Sequence, residues 1–96
     1  MDGMAWLSVD DMADFLRVGE ESHGMIEALG RAVPPYIETA TGYPADVTAT
    51  GPSETVRQMA RFLIALWFDP DGTDSDRLRR AIADFALVVK MSERDV

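Results

Sequence analysis

Apolar side chains recur three and four positions apart in four separate stretches of the chain, a spacing typical of helices with one buried face. The pattern predicts a short helix over about 9–17, a second from residue 21 or 22 to just before Gly42, a third over about 54–68 and a fourth over about 76–90. No stretch alternates as a strand would. The predicted fold class is therefore all-α, a small bundle of four helices, one short and three longer, arranged as helical hairpins.

Short polar side chains mark where these helices begin. Ser8 can cap the first helix and Asp11, three residues on, can complete a capping box. Ser53 is the expected cap of the third helix, and Thr73 or Ser75 that of the fourth.

The second helix must pass two adjacent prolines, Pro34 and Pro35. Its apolar stripe keeps the same phase before and after them, so a kinked continuous helix is favoured over two separate ones. At about 100° per residue both prolines project away from the stripe, where water could reach the carbonyls that lose their donors.

The periodicity predicts which side of each helix is buried. The expected buried positions are Met12, Phe15 and Leu16 in the first helix; Met25, Ile26, Leu29, Ala32, Val33, Tyr36, Ile37 and Ala40 in the second; Val56, Met59, Ala60, Leu63, Leu66 and Trp67 in the third; and Leu78, Ala81, Ile82, Phe85, Val88 and Val89 in the fourth.

The third helix carries more apolar residues than one buried face needs. Phe62, Ile64 and Phe68 widen its apolar arc to about 240°, more than a small core can cover. Surplus apolar surface on an acidic protein is typical of an oligomer interface. Together with Trp6 near the N-terminus and the outward-pointing Leu87, these residues form the predicted subunit interface.

The composition limits the class of protein. With 96 residues, 47% of them hydrophobic and 27% charged, the chain is expected to form one globular domain over 1–96, with a flexible N-terminus at 1–6 and a tail at 91–96. The longest apolar run, 62–68, is far shorter than the roughly 18 residues that span a bilayer, so no membrane partner is expected. Because no basic, apolar leader is visible, we expect an intracellular product.

The inventory of reactive side chains argues against an enzyme. Cysteine is absent and His23 is the sole histidine, with no partner residues that would orient it as a base. The acidic turn at 69–76 does not fit a calcium loop, because Trp67 and Leu78 would fall where carboxylates are required. We therefore expect no catalytic residues, no metal and no cofactor.

One alternative interpretation is a small DNA-binding regulator. The stretch from Met12 to Leu29 can be read as a helix-turn-helix. Its recognition helix would present Glu20, Glu21 and Glu27, and the formal charge of −8 also disfavours binding to phosphates. The DNA-binding regulator therefore remains an alternative, and the acidic charge disfavours it.

Several motifs follow one another in a distinctive order. They are Trp6-Leu7, then Phe15-Leu16-Arg17-Val18 at a helix end, Glu20-Glu21 before the long helix, Tyr36-Ile37-Glu38 and Thr41-Gly42 at its close, and the apolar run Gln58 to Phe68. This order resembles the head-tail connector (adaptor) family of tailed bacteriophages over nearly the whole chain. The chain departs from the family's pattern at Pro34 and Pro35, where ordinary helix formers are usual.

The resemblance implies a structural virion protein at the head-tail junction, present in the host cytoplasm during assembly. Its expected partners are further copies of itself in a ring, the portal protein above, and a downstream neck, stopper or tail-completion protein. DNA would pass through the ring without specific binding. Members of the family dock on the portal through their C-terminal segment. The resemblance therefore implies that the tail makes this contact, and its candidate residues are Met91, Arg94 and Val96. The candidate channel-facing or partner-facing loop residues are Tyr43, Asp46, Asp69, Asp71 and Asp74.

Overall fold

The computed structural model describes residues 6–44 and 52–92, and every regular element in these two ranges is helical. The elements are α1 (Val9–Leu16), a single 3-10 turn (Glu20–Ser22), α2 (His23–Thr41), α3 (Glu54–Phe68) and α4 (Ser75–Ser92). The predicted all-α fold of one short and three longer helices is confirmed. The end of α4 lies two residues beyond the predicted one, so Met91 is helical and the tail cannot begin there.

Two predicted helix starts are confirmed at the level of single hydrogen bonds. The amide of Asp11 donates to Ser8 Oγ at 3.3 Å, and the amide of Val56 donates to Ser53 Oγ at 3.3 Å. Each bond satisfies an amide that has no partner inside its own helix. At the other end of α1, Arg17 takes the left-handed conformation with φ 61°, so the helix stops one residue earlier than predicted.

The second helix runs without interruption through both prolines, as predicted. It ends at Gly42, whose φ of 87° suits a residue without a side chain and whose amide donates to the carbonyl of Glu38 at 2.8 Å. The prediction that both prolines face away from the core is wrong for Pro34, which is buried, and holds for the exposed Pro35.

The buried face of α2 is rotated from the predicted stripe. Burial is centred on Ile26, Val33 and Ile37 and extends to Gly30, Pro34 and Thr41. Met25 and Tyr36, predicted to be buried, are 58% and 45% exposed, and Ala32 and Ala40 are also exposed. The rotation arises because α2 packs against α1, α3 and α4, and the positions of these neighbours decide which side is covered.

α3 lies at the centre of the packing, against both α2 and α4. Val56, Met59, Ala60 and Leu63 are buried as predicted, whereas Leu66 and Trp67 are only partly buried. Ile64 and Ala65 are also buried, so the covered part of α3 is wider than the predicted stripe.

The outer helices each bury a narrower side than predicted. In α1, Met12 is buried but Phe15 is 48% exposed. In α4, Ile82 and Val89 are buried but Val88 is 48% exposed. The molecule measures 37 × 32 × 18 Å, and its shortest dimension accommodates about two layers of helices of roughly 10 Å each. A bundle this thin leaves apolar side chains at its margins.

Candidate interaction surfaces

Tyr43 belongs to the core, so its prediction as a channel-facing or partner-facing residue is wrong. Its side chain is 1% exposed, and its hydroxyl accepts a hydrogen bond from the amide of Ser53 at 3.2 Å. Its ring meets that of Trp6 edge-on at 5.9 Å between centroids, a favourable arrangement for two aromatic rings. Tyr43 therefore ties the end of α2 to the start of α3.

Thr41, which the sequence analysis named only as part of the Thr41-Gly42 motif, completes this junction. Its hydroxyl donates to the carbonyl of Ile37 at 2.7 Å and accepts from the amide of Tyr43 at 3.1 Å. Both bonds are buried, and they fix the direction in which the chain leaves α2. In the sequence, the signal for this junction is Thr-Gly-Tyr at the end of a predicted helix.

Trp6 is also a core residue. It is 7% exposed, so the predictions that it belongs to a flexible terminus and to a subunit interface do not hold for its position in this fold. Its indole N–H is buried without an acceptor among the residues that the structure describes. The ring is held by packing against Tyr43 and its neighbours in the core.

The remaining predicted interface residues divide between the core and the surface. Ile64 is 0% exposed and offers nothing to a neighbouring molecule, because α3 is covered on two sides. Phe62 and Phe68 are partly buried at the margin of the core, and Leu87 is 58% exposed. A subunit contact by the last three stays a prediction.

Aromatic side chains from three helices form one continuous surface, which we call the aromatic face. Phe15 of α1 lies 6.4 Å from Phe62 of α3, and Phe62 lies 5.5 Å from Phe85 of α4, measured between ring centroids. Phe62 and Phe85 border a shallow groove of about 280 Å³ whose remaining lining residues are Ala81, Asp84 and Val88. Asp84 is the single charged side chain in that lining.

A second apolar surface, the Tyr36 face, lies between α2, α3 and α4. Tyr36 meets Trp67 edge-on at 5.3 Å between centroids. The two rings border a groove of about 370 Å³ that is otherwise lined by Ala40, Met59, Leu63, Leu66, Arg79, Ile82, Ala83 and Ala86. Here too the lining includes one charged side chain, that of Arg79.

The two faces occupy opposite flanks of α4. Positions 81, 84, 85 and 88 line the aromatic face, whereas positions 79, 82, 83 and 86 line the Tyr36 face. At about 100° per residue the two sets centre roughly half a turn apart around the helix. The protein thus presents two different apolar surfaces that point in different directions.

The acidic turn between α3 and α4 is exposed, and both backbone and side-chain hydrogen bonds hold it. Gly72 donates to the carbonyl of Asp69 at 3.2 Å, and Arg79 donates to the carbonyl of Pro70 at 3.2 Å. The predicted loop residues Asp69, Asp71 and Asp74 all lie on the surface, while Asp46 lies outside the described residues. Across 6–44 and 52–92, no three acidic or histidine side chains are grouped so that they could hold a metal ion.

The turn borders a third groove, of about 590 Å³. Its other walls are the ends of α1 and α3 and the start of α4, which contribute apolar side chains such as Phe15, Phe68 and Leu78 beside Asp69 and Asp74. A groove lined by apolar and acidic side chains suits a partner that carries apolar and basic side chains.

The segment that would read DNA in a helix-turn-helix is acidic in the structure as well. Glu20 and Glu21 are exposed in the 3-10 turn ahead of α2. His23, at the start of α2, lies 3.9 Å from the carboxylate of Asp10, measured from Nε2 to Oδ1. A phosphate backbone approaching this end would meet several carboxylates.

At the far end of α4, Met91 is 77% exposed, and the other two candidate docking residues, Arg94 and Val96, lie outside the described residues. None of the helices in the part of the chain described is both long and apolar enough to cross a membrane. No protein-family model matches the chain, and no curated protein or solved structure matches it either.

Proposed function

We propose that the protein is a head-tail connector of a tailed bacteriophage. It would assemble with copies of itself into a ring below the portal, extend the DNA channel, and offer a platform to a downstream neck or tail-completion protein. No catalytic step is needed for this role.

The observation that carries the proposal is the pair of apolar faces on opposite flanks of α4. A ring of identical subunits requires heterologous contacts, in which one surface of each subunit meets a different surface of the next. A protein with a single apolar face would instead favour a two-fold dimer. Two apolar faces that point apart are what a closed ring needs.

The family resemblance supplies the particular kind of ring. The Tyr36-Ile37-Glu38 and Thr41-Gly42 motifs that suggested it form a structured helix end, with Ile37 and Thr41 buried and Tyr43 bonded to α3. These motifs therefore stabilise the fold of the domain. Members of a family of structural proteins would share motifs of this kind, because they share the fold.

The charge is consistent with a channel for DNA. A formal charge of −8, with exposed carboxylates in the acidic turn and ahead of α2, gives phosphates little to bind. DNA that must slide through a ring should not be held by it.

The test is to mix the purified protein with the portal protein of the same genome and to image the product by negative-stain microscopy. We expect added density as a ring coaxial with the portal, and none with the portal of an unrelated phage. Absence of binding to the matching portal would overturn the proposal. Retention of a specific duplex at physiological salt would favour the helix-turn-helix regulator instead.

A further inference from the structure

We infer that the aromatic face of one copy docks on the Tyr36 face of the next copy, with Asp84 of the first opposite Arg79 of the second. The inference rests on the proposed function for the ring, and it adds which two surfaces meet and in which direction. The occupant of each groove is thus a second copy of this chain.

Charge complementarity between the two grooves is the first argument. Each groove is lined by apolar side chains and a single charged one, and the two charges have opposite signs. Asp84 has no ion-pair partner within the described residues. Arg79 approaches the carboxylate of Asp76 at 3.4 Å and the carbonyl of Pro70 at 3.2 Å, but a guanidinium has five N–H donors and can accept a further carboxylate.

The signs of these charges also select the direction of assembly. In a two-fold contact the aromatic face would meet itself and place both Asp84 carboxylates in one apolar contact, or the Tyr36 face would meet itself and place both Arg79 guanidinium groups in one apolar contact. Like charges in an apolar contact are unfavourable, whereas the head-to-tail pairing places opposite charges together. The arrangement therefore disfavours closed dimers and favours a chain of subunits that can close into a ring.

The apolar side chains and the charged pair would have different roles. Burial of exposed parts of Phe15, Phe85, Val88 and Tyr36 supplies the stabilisation, since apolar surface leaves water on docking. The Asp84–Arg79 pair mainly sets the register and excludes the wrong orientation.

Charge reversal tests the pairing directly. Asp84→Arg and Arg79→Glu should each weaken self-association at least about tenfold, measured by sedimentation of the protein alone up to about millimolar concentration. The double variant should recover most of the affinity, because the reversed charges again face each other in the next copy. An equimolar mixture of the two single variants should also associate, since every junction in an alternating assembly then pairs opposite charges.

The matched controls are Glu38→Arg and Arg31→Glu, which make the same charge changes at exposed positions of α2. At about 100° per residue both lie roughly half a turn from Tyr36, away from the two faces. These variants should associate like the unmodified protein. Circular dichroism should show unchanged helix content in every variant, because all four positions are exposed.

The outcomes separate this inference from the proposed function. If the protein forms rings on the portal but the charge variants assemble as well as the controls, the inference is wrong and the function stands. If self-association follows the charges but no portal binding occurs, the pairing is correct and the connector role is wrong. Loss of association in only one of the two single variants would mean that Asp84 and Arg79 do not face each other, and would overturn the head-to-tail pairing.

Discussion

At the scale of single residues, the hydroxyl of Tyr43 forms a hydrogen bond that joins the segment after α2 to the residue that caps α3. The substitution Tyr43→Phe removes this hydroxyl. It keeps the ring against Trp6 but leaves the amide of Ser53 without its acceptor. We expect the free energy of unfolding to fall by about 1 to 2 kcal/mol, measured by urea denaturation.

The matched control is Tyr36→Phe. The hydroxyl of Tyr36 forms no hydrogen bond with the described residues, and the side chain is 45% exposed. Its stability should stay within about 0.5 kcal/mol of the unmodified protein. Equal effects of the two substitutions would mean that the Tyr43–Ser53 bond contributes nothing in solution.

The burial of Ile64 gives a second prediction at this scale. Ile64→Ala should destabilise the protein by about 2 to 5 kcal/mol, because it leaves a cavity between α3 and its neighbours. Leu87→Ala, at a position 58% exposed, should change the free energy of unfolding by less than about 0.5 kcal/mol. Urea denaturation measures both, and a tolerant position 64 would show that the isoleucine is a surface residue after all.

Residue-level roles were the hardest to predict from the sequence. The apolar arc of α3 indicated surplus hydrophobic surface, but only the positions of α2 and α4 decide that Ile64 is covered while Phe62 remains at the margin. Tyr43 and Trp6 were misplaced for a related reason. They are close together in space but distant along the chain, and no local pattern reveals an edge-on ring pair of that kind.

At the scale of helices, α2 carries an identifiable source of instability in its two prolines. Each removes the amide that would donate to the carbonyl four residues earlier. Pro35 is exposed, so its replacement removes little buried surface. We expect Pro35→Ala to raise the free energy of unfolding by about 1 to 2 kcal/mol, after the greater flexibility of the unfolded chain is allowed for.

Pro34 provides the comparison, because its ring is buried. Pro34→Ala regains an amide but removes packed atoms, so its gain in urea denaturation should be smaller than that of Pro35→Ala. A loss of stability in Pro35→Ala would mean that the fold depends on the backbone geometry that this proline imposes.

The ends of the helices were predictable because the signals that set them are local. Ser8, Ser53 and Gly42 act on backbone groups within four residues of themselves, and each helix end that they were expected to set lies at or within one residue of its predicted place. The buried face of α2 was not predictable in the same way. Its apolar stripe is broad, and the surrounding helices select a side that includes Pro34 and Thr41.

At the scale of the whole molecule, the proposed contacts are distributed around α4. The two apolar faces lie on the flanks of α4, and the acidic turn lies at the start of that helix. This leaves the other end of α4, where Met91 is exposed, for the portal. In the proposed ring, the two neighbours and the portal would meet different parts of each subunit, whereas a downstream protein in the groove beside the acidic turn would share Phe15 with the aromatic face.

The portal contact gives the final prediction. Because Met91 and Ser92 are part of α4, the deletion that tests docking should begin at residue 93. Removal of 93–96 should weaken binding to the matching portal at least about tenfold, a loss typical of one or two interface side chains of 1 to 2 kcal/mol each. Surface plasmon resonance on immobilised portal measures the affinity.

The shortened chain should keep its urea midpoint and its self-association through the two faces. Unchanged portal affinity would reject the tail as the docking segment, and a loss of self-association as well would assign the tail to the subunit contact.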